Sequence, residues 1–420
     1  MRETNRMSQL KKIFLFLFLY LIPFPLFIMP SGSIFQGKST DEDAFSLPIS
    51  LIILIFVYII NPKYINNIFK GHKAFLFFIV ISLISFLLTV FRSNDFNSLL
   101  LIISILPVVL SYGIGVEVLK KTNLDLFFLP NLVSDFIKIT FFICLLHIIS
   151  SFINFGISGS FAVRGDDGFF GLFSIYQKVT YYPTVISVVF IFALYSNFKT
   201  KYLICSVIFL NIMIIGSRES MVMCLFGLFS VLYYNRLKKK NIKNLFYLIL
   251  ISLSSLFLML NSEKISFENE FVFVRKINNL IAKGDYTAGR EGAIFEVFSE
   301  SGDDFNLLVG TGYSMTLGDF RSPHNQYLEI FLRSGIIGLV FFMLVVFFAL
   351  KAIYLIVKKN RFNKFFETYY SISVGFLAIL LLSFNINTPI RTPFSSIFVG
   401  LLLGIILNLK FDYKSGKLLN

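Results

Sequence analysis

The sequence predicts an all-α fold, a polytopic helical membrane protein with about twelve transmembrane helices. Three observations carry that prediction. Hydrophobic residues make up 56% of the chain and charged residues 15%, with a mean hydropathy of +0.77 and 54 phenylalanines, far from the usage of soluble domains. Apolar runs of about 17 to 25 residues, the length that crosses a hydrocarbon layer ~30 Å thick, recur from one end of the chain to the other. Lysine and arginine fall in alternate connections between those runs.

The predicted spans lie near 13–30, 45–60, 74–91, 98–118, 134–153, 179–197, 202–216, 219–234, 244–260, 330–357, 366–386 and 393–410. The first follows Arg2, Arg6, Lys11 and Lys12, as a signal peptide would, but Pro23, Pro25, Pro30 and Asp41-Glu42-Asp43 offer no small-residue cleavage pattern. It is therefore read as a retained span. The whole chain, 1–420, reads as a single integral membrane domain.

Charge orients the chain. With the N-terminus inside, the cytoplasmic connections hold Lys63, Lys70 and Lys73; Lys120 and Lys121; Lys199 and Lys201; Arg236 to Lys243; Lys358 to Lys364; and Lys410 to Lys417. Roughly 25 of the 38 basic residues then lie inside. Both termini are expected in the cytoplasm, and the net charge of +14 reports topology and lipid contact, not a nucleic-acid partner. Parity also decides 202–234. One long span would put the basic block from Arg236 outside, so two short helices are expected, with Gly216-Ser217-Arg218 in the turn and Ser217 or a neighbour as N-cap. A charge sunk at that depth marks Arg218 as a functional candidate.

Two outer loops have substance, 154–178 and 261–329. The longer, expected to be periplasmic and to contain short helices, leads into Ser322-Pro323-His324-Asn325-Gln326-Tyr327-Leu328. Ser322 is expected as N-cap, Pro323 at the first helical position and His324 at the second. A helix mouth favours anions and the neutral form of a histidine. On a continuous helix Gly335 would stand about 20° from the azimuth of His324, opening a groove with Tyr327 and Gly335 on the face the histidine heads. From these residues alone a capping histidine and a catalytic one are equally good readings.

His324-Asn325-Gln326-Tyr327-Leu328 with Arg333-Ser334-Gly335-Ile336-Ile337-Gly338, the Gly216-Ser217-Arg218 turn, and Arg290 upstream of Gly310-Thr311-Gly312 together resemble the O-antigen polymerase and O-antigen ligase superfamily. The resemblance covers most of the chain in layout. It implies a metal-independent glycosyltransferase, without cofactor, at the periplasmic face of the bacterial inner membrane. Its substrate would be an undecaprenyl-diphosphate-linked oligosaccharide, with a chain-length regulator protein as a further partner. By the same resemblance Arg218 and Arg290 match diphosphate-holding positions and His324 the acceptor-activating one. Arg164 and Arg321 are additional diphosphate candidates, and Arg391 is weaker.

Physically, arginine forks suit phosphate oxygens, and a histidine within about 3 Å of a hydroxyl can take its proton. Three activities stay open: a polymerase joining repeat units, a ligase passing the finished glycan to lipid A core or to a protein, and a non-enzymatic flippase. The AT-rich character of the residue usage favours the polymerase. The acidic pairs Asp166-Asp167 and Asp303-Asp304 read as solvated, so no metal is assigned. Cys144, Cys205 and Cys224 read as packing, His147 as a span residue with no obvious partner and His72 as local structure. With no tryptophan present, Tyr181, Tyr182, Tyr233 and Tyr234 are expected to form the interfacial belt.

Overall fold

Eleven of the twelve predicted segments carry a helix, and 244–260 lies outside the described residues. The computed structural model describes residues 2–24, 27–28, 47–93, 102–162, 183–215, 217–237, 306–310, 325–359, 366–386, 389–390, 393–411 and 418–419. These are almost entirely helical. In order they form α1 (Arg2–Leu21), α2 (Ile49–Ile60), α3 (Ile65–Phe69), α4 (Lys73–Ser93), α5 (Ile102–Leu124), α6 (Phe128–Ala162), α7 (Pro183–Tyr195), α8 (Lys201–Ile215) and α9 (Arg218–Leu237). There follow α10 (Gln326–Lys359), α11 (Phe366–Ala378) and α12 (Pro393–Leu407). A π-helical turn, Ile379–Ser383, and a last turn, Phe384–Ile386, extend α11. Two-residue antiparallel pairs, Phe27–Ile28 with Leu47–Pro48 and Lys410–Phe411 with Leu418–Leu419, are the strands among the described residues.

Three of these helical stretches, Phe128–Ile153, Gln326–Lys358 and Glu367–Ile386, are long and apolar enough to cross a membrane. A fourth is made if Ile49–Ile60 and Pro62–Phe69, bent by 100° at their junction, count together. Pro62 accounts for the bend, since it has no N–H to continue the ladder. The remaining apolar helices are shorter. The first predicted span is corrected: α1 occupies Arg2–Leu21, not 13–30, because Pro23 and Pro25 cannot continue a helix and the chain turns extended at Phe27–Ile28. At 202–234 the chain forms two helices, as parity required.

α7 is buried at every position, so it stands at the centre of the bundle. It packs on α8, α9 and α11, while α6 packs on α8 and α4 on α10. The tightest pair is α5 with α12, where Gly115, Gly400 and Gly404 replace side chains with backbone contact; a Cβ on Gly115 would sit 2.3 Å from the Leu401 carbonyl oxygen. Within the core, His147 on α6 bonds Asn211 on α8 through Nδ1, and Asn211 donates to Cys144 Sγ at 3.2 Å. The expectation that His147 lacks a partner is thereby corrected. The three cysteines are buried and form no disulfide.

Contacts at the helix ends establish direction. Tyr195, Tyr234 and Tyr370 form a ring cluster with centroids 4.8 to 5.4 Å apart, joining the last turn of α7, the last turns of α9 and the first turns of α11. Tyr234 is buried there and donates to Glu367, so it is a packing residue; Tyr233 beside it is exposed, as a belt residue would be. The same end gathers Lys70, His72, Lys73, Lys120, Lys121, Lys199, Lys201 and Lys358. His72 starts α4 by accepting the Ala74 N–H on Nδ1 and packs against Phe348 of α10, the rings tilted by 51° with centroids 4.4 Å apart. Its half-burial pushes the imidazole pKa below the ordinary value. α4 and α10 run antiparallel, since Phe78 meets Phe342 further along and Ser85 meets Val309 beyond that.

Candidate functional site

At the end opposite the lysines, the first turn of α9 places a carboxylate in the protein interior. Ser217 is the N-cap, its Oγ accepting the Ser220 N–H at 3.3 Å, and Arg218 is the first helical residue. Glu219 is buried beside the positive end of the helix. A buried carboxylate needs donors, and two hydroxyls supply them. Thr184 Oγ1, from the start of α7, lies 2.9 Å from Glu219 Oε1, and Ser383 Oγ, from the π-helical turn, lies 2.5 Å from the same oxygen. Thr184 and Ser383 also touch at 3.2 Å. Ser220 Oγ donates to the Pro183 carbonyl at 3.2 Å, tying α9 to α7 a second time.

The first turn of α10 reaches the same π-helical turn. Tyr327 donates its hydroxyl to the Leu380 carbonyl at 2.8 Å, and Phe342 and Phe384 flank its ring. Gln326 accepts the Ile390 N–H on Oε1 at 2.8 Å. The expected cap is corrected here. Asn325, not Ser322, closes the helix, its Oδ1 accepting the Leu328 N–H at 3.0 Å while its carbonyl takes the Glu329 N–H. An asparagine outranks most residues as a cap because its short amide reaches the third N–H. His324 thus precedes the cap by one residue and is not the second residue of the helix. On the next turn Glu329 pairs with the Nε and Nη2 edge of the Arg333 guanidinium, both side chains buried.

Gly335 carries the second correction. It does not line a groove on a continuous helix; at φ 63°, ψ −166° it breaks α10 into Gln326–Ser334 and Ile336–Lys359. The break fits length, because 34 residues at 1.5 Å span ~51 Å whereas the 24 residues after Gly335 span ~36 Å, nearer the membrane core. A tight loop, Asn306–Gly310, fills the gap. Asn306 Oδ1 accepts the Leu308 N–H at 2.9 Å, and the Asn306 and Gly310 backbones bond across. The Ile336 and Ile337 N–H groups, which a broken helix leaves without their own carbonyls, bond Leu307 O at 2.9 Å and Leu308 O at 3.3 Å. The fit excludes side chains on both sides: a Cβ on Gly310 would lie 2.5 Å from the Leu332 carbonyl oxygen, and one on Gly335 would lie 2.2 Å from that of Leu308. Both glycines have positive φ.

Of the sequence candidates, Arg218, Tyr327 and Gly335 are brought to one end of the bundle. Arg164, Arg290, Arg321, His324 and Arg391 lie outside the described residues, as do Asp166-Asp167, Asp303-Asp304 and most of the loops 154–178 and 261–329. Among the described residues no cluster of three or more histidine, cysteine or acidic side chains is placed to hold a metal. Glu219, Thr184, Ser383 and Glu329 were not picked out by sequence, and Gln326 and Arg333 were named only as motif residues without a role. For the charged three the signal was present, an ionisable residue inside an apolar helix; for Thr184 and Ser383 it was not, since hydroxyls are common in such helices. No protein-family model matches the chain, and no curated protein is significantly similar to it.

Proposed function

We propose that the protein is a glycosyltransferase at the periplasmic face of the bacterial inner membrane that polymerises undecaprenyl-diphosphate-linked oligosaccharide repeat units. One observation carries the reading most directly. The first turns of α9 and α10 meet the same π-helical turn, through Glu219 to Ser383 and Tyr327 to Leu380, so Arg218 and the residue that follows His324 share one end of the molecule. The lysine-rich opposite end supports the orientation, because cytoplasmic ends collect lysine.

In this reading Arg218, Arg290, Arg164 and Arg321 hold the diphosphate, and His324 orients or deprotonates the attacking hydroxyl. The hydroxyl oxygen bonds to the anomeric carbon as the bond from that carbon to the diphosphate oxygen breaks. The diphosphate leaves with the bonding pair, and the hydroxyl proton goes to His324. Arginine forks stabilise the charge that grows on the leaving group, and a positioned base contributes about 10²- to 10⁴-fold.

Deletion of the gene tests the activity. Loss of a polymerase leaves lipid A core capped by a single repeat; bare core with glycan stranded on the carrier would instead indicate the ligase, and repeats trapped in the cytoplasmic leaflet a flippase. His324→Ala and Arg218→Ala are each expected to abolish polymer while the protein remains in the membrane. Normal ladders from either variant remove that residue from the chemistry.

A further inference from the structure

At the lysine-rich end, the starts of α6 and α11 and the end of α7 enclose a cavity of about 310 Å³, at the small end of the ~300–1,000 Å³ common for small-ligand sites. Phe127, Tyr195 and Phe198 supply rings, and among the described residues that line it Glu367 alone carries a formal charge. Two lining hydroxyls act as acceptors. Ser196 Oγ donates to the Ala193 carbonyl and Ser371 Oγ to the Thr368 carbonyl, each at 2.8 Å, so each proton is held by its own helix and the oxygen lone pairs remain. Tyr195 likewise gives its proton to Ser230, which is not in the wall, at 2.9 Å. Ser371 stands one turn beyond Glu367 on α11, so carboxylate and hydroxyl share a helix face. Glu367 also receives the Tyr234 hydroxyl at 3.4 Å, and a carboxylate takes about four donors. A negative, acceptor-rich wall with aromatic faces suits a cation that carries several N–H groups. Glu367 repels a lone phosphate, a quaternary ammonium has no N–H to give, and a primary ammonium has three.

Position narrows the source of that ammonium. Val133 and Ile137 of the wall belong to the stretch Phe128–Ile153 that is apolar enough to cross a membrane, and the cavity sits where that stretch begins, at the depth of lipid headgroups. Lys199 is exposed and adjoins Phe198 in the chain, which puts a cation within reach of the rim. We infer that the cavity seats the headgroup of a phosphatidylethanolamine. The ammonium donates to Glu367, Ser196 and Ser371, the phosphate turns toward Lys199, and the acyl chains follow α6 past Val133 and Ile137 into the bilayer. This seat lies at the opposite end from the proposed glycosyl-transfer site and does not depend on that activity.

Photolabelling tests it. Full-length protein is placed in phosphatidylcholine nanodiscs doped with a phosphatidylethanolamine that carries a diazirine on the first carbons of one acyl chain, and after irradiation the adducts are mapped by mass spectrometry. Adducts are expected on the α6 peptide that contains Val133 and Ile137. Unlabelled phosphatidylethanolamine should compete them away, and phosphatidylglycerol should not. Glu367→Gln keeps an acceptor for Tyr234 but removes the charge, and is expected to weaken labelling about tenfold, the worth of a charge-assisted hydrogen bond. Ser196→Leu should fill the cavity and abolish labelling; if that variant does not fold, Glu367→Gln decides alone. Labelling of the α6 peptide no stronger than that of Val340 and Phe347 on the exposed face of α10, labelling unchanged by Glu367→Gln, or equal competition by phosphatidylglycerol would overturn the inference. Equal competition by phosphoethanolamine or spermidine would overturn it too, in favour of a soluble amine.

Discussion

Glu219 illustrates how a single ionisable group can organise three helices. Its Oε1 takes hydroxyl protons from Thr184 and Ser383, which begin and end different helical elements. Because the carboxylate is an acceptor in this network, Gln can replace it in the same role but Leu cannot. Glu219→Gln is expected to keep a near-native thermal midpoint in detergent. Glu219→Leu removes the acceptor the two buried hydroxyls share and leaves them only each other, so at least one is stranded at about 1–3 kcal/mol and the midpoint should fall by several degrees. Equal midpoints for the two variants would mean that the hydroxyls find other acceptors. The sequence exposed Glu219 as an acid within an apolar run, but its partners lie 35 and 164 positions away and have no local signature.

At the level of elements, the break at Gly335 and the loop that fills it form one unit. Neither glycine can gain a Cβ without meeting a carbonyl oxygen of the other segment. Gly310→Ala and Gly335→Ala are each expected to cost at least about 1–2 kcal/mol from the left-handed backbone alone, more with the clash, and to lose activity. The double variant should cost less than the sum, because either change already displaces the loop; strict additivity in thermal melts would show that the two glycines act separately. Helix existence was legible in apolar run length, and the Ser217 cap in its residue type. The break was not. Gly335 lies inside the predicted span 330–357, and what decides its conformation is a loop 25 residues earlier that supplies carbonyls for Ile336 and Ile337. The misplaced cap has a similar cause: Ser322-Pro323 and Asn325 are both good starts, and only the Leu328 N–H bond selects between them.

Across the whole molecule, helix directions agree with the charge pattern. The residues that contact Glu219 and the start of α10 gather at one end, and the tyrosine cluster and lysines at the other. Placing the lysines in the cytoplasm predicts a labelling pattern. In a background with Cys144, Cys205 and Cys224 replaced by alanine, a cysteine at Leu307 should react with an impermeant maleimide added to intact spheroplasts. One at Lys199 should react only after the membrane is opened. The reverse pattern would invert the molecule and with it the proposed site. The number of spans read from composition exceeds the helices that are individually long enough, because α7, α8 and α12 are only 13 to 15 residues each. Short helices buried among others do not need to match the bilayer one by one, and run length alone cannot reveal that.

The docking of Leu307 and Leu308 onto the backbone of Ile336 and Ile337 closes the chain into a ring of about thirty residues without a covalent bond. Closing a loop of that size costs about 3 kcal/mol of chain entropy, and folding meets that cost once, before any substrate arrives. Arg321 and His324 are members of the ring. The stretch of sequence that holds them is therefore tethered at both of its ends to one point on α10.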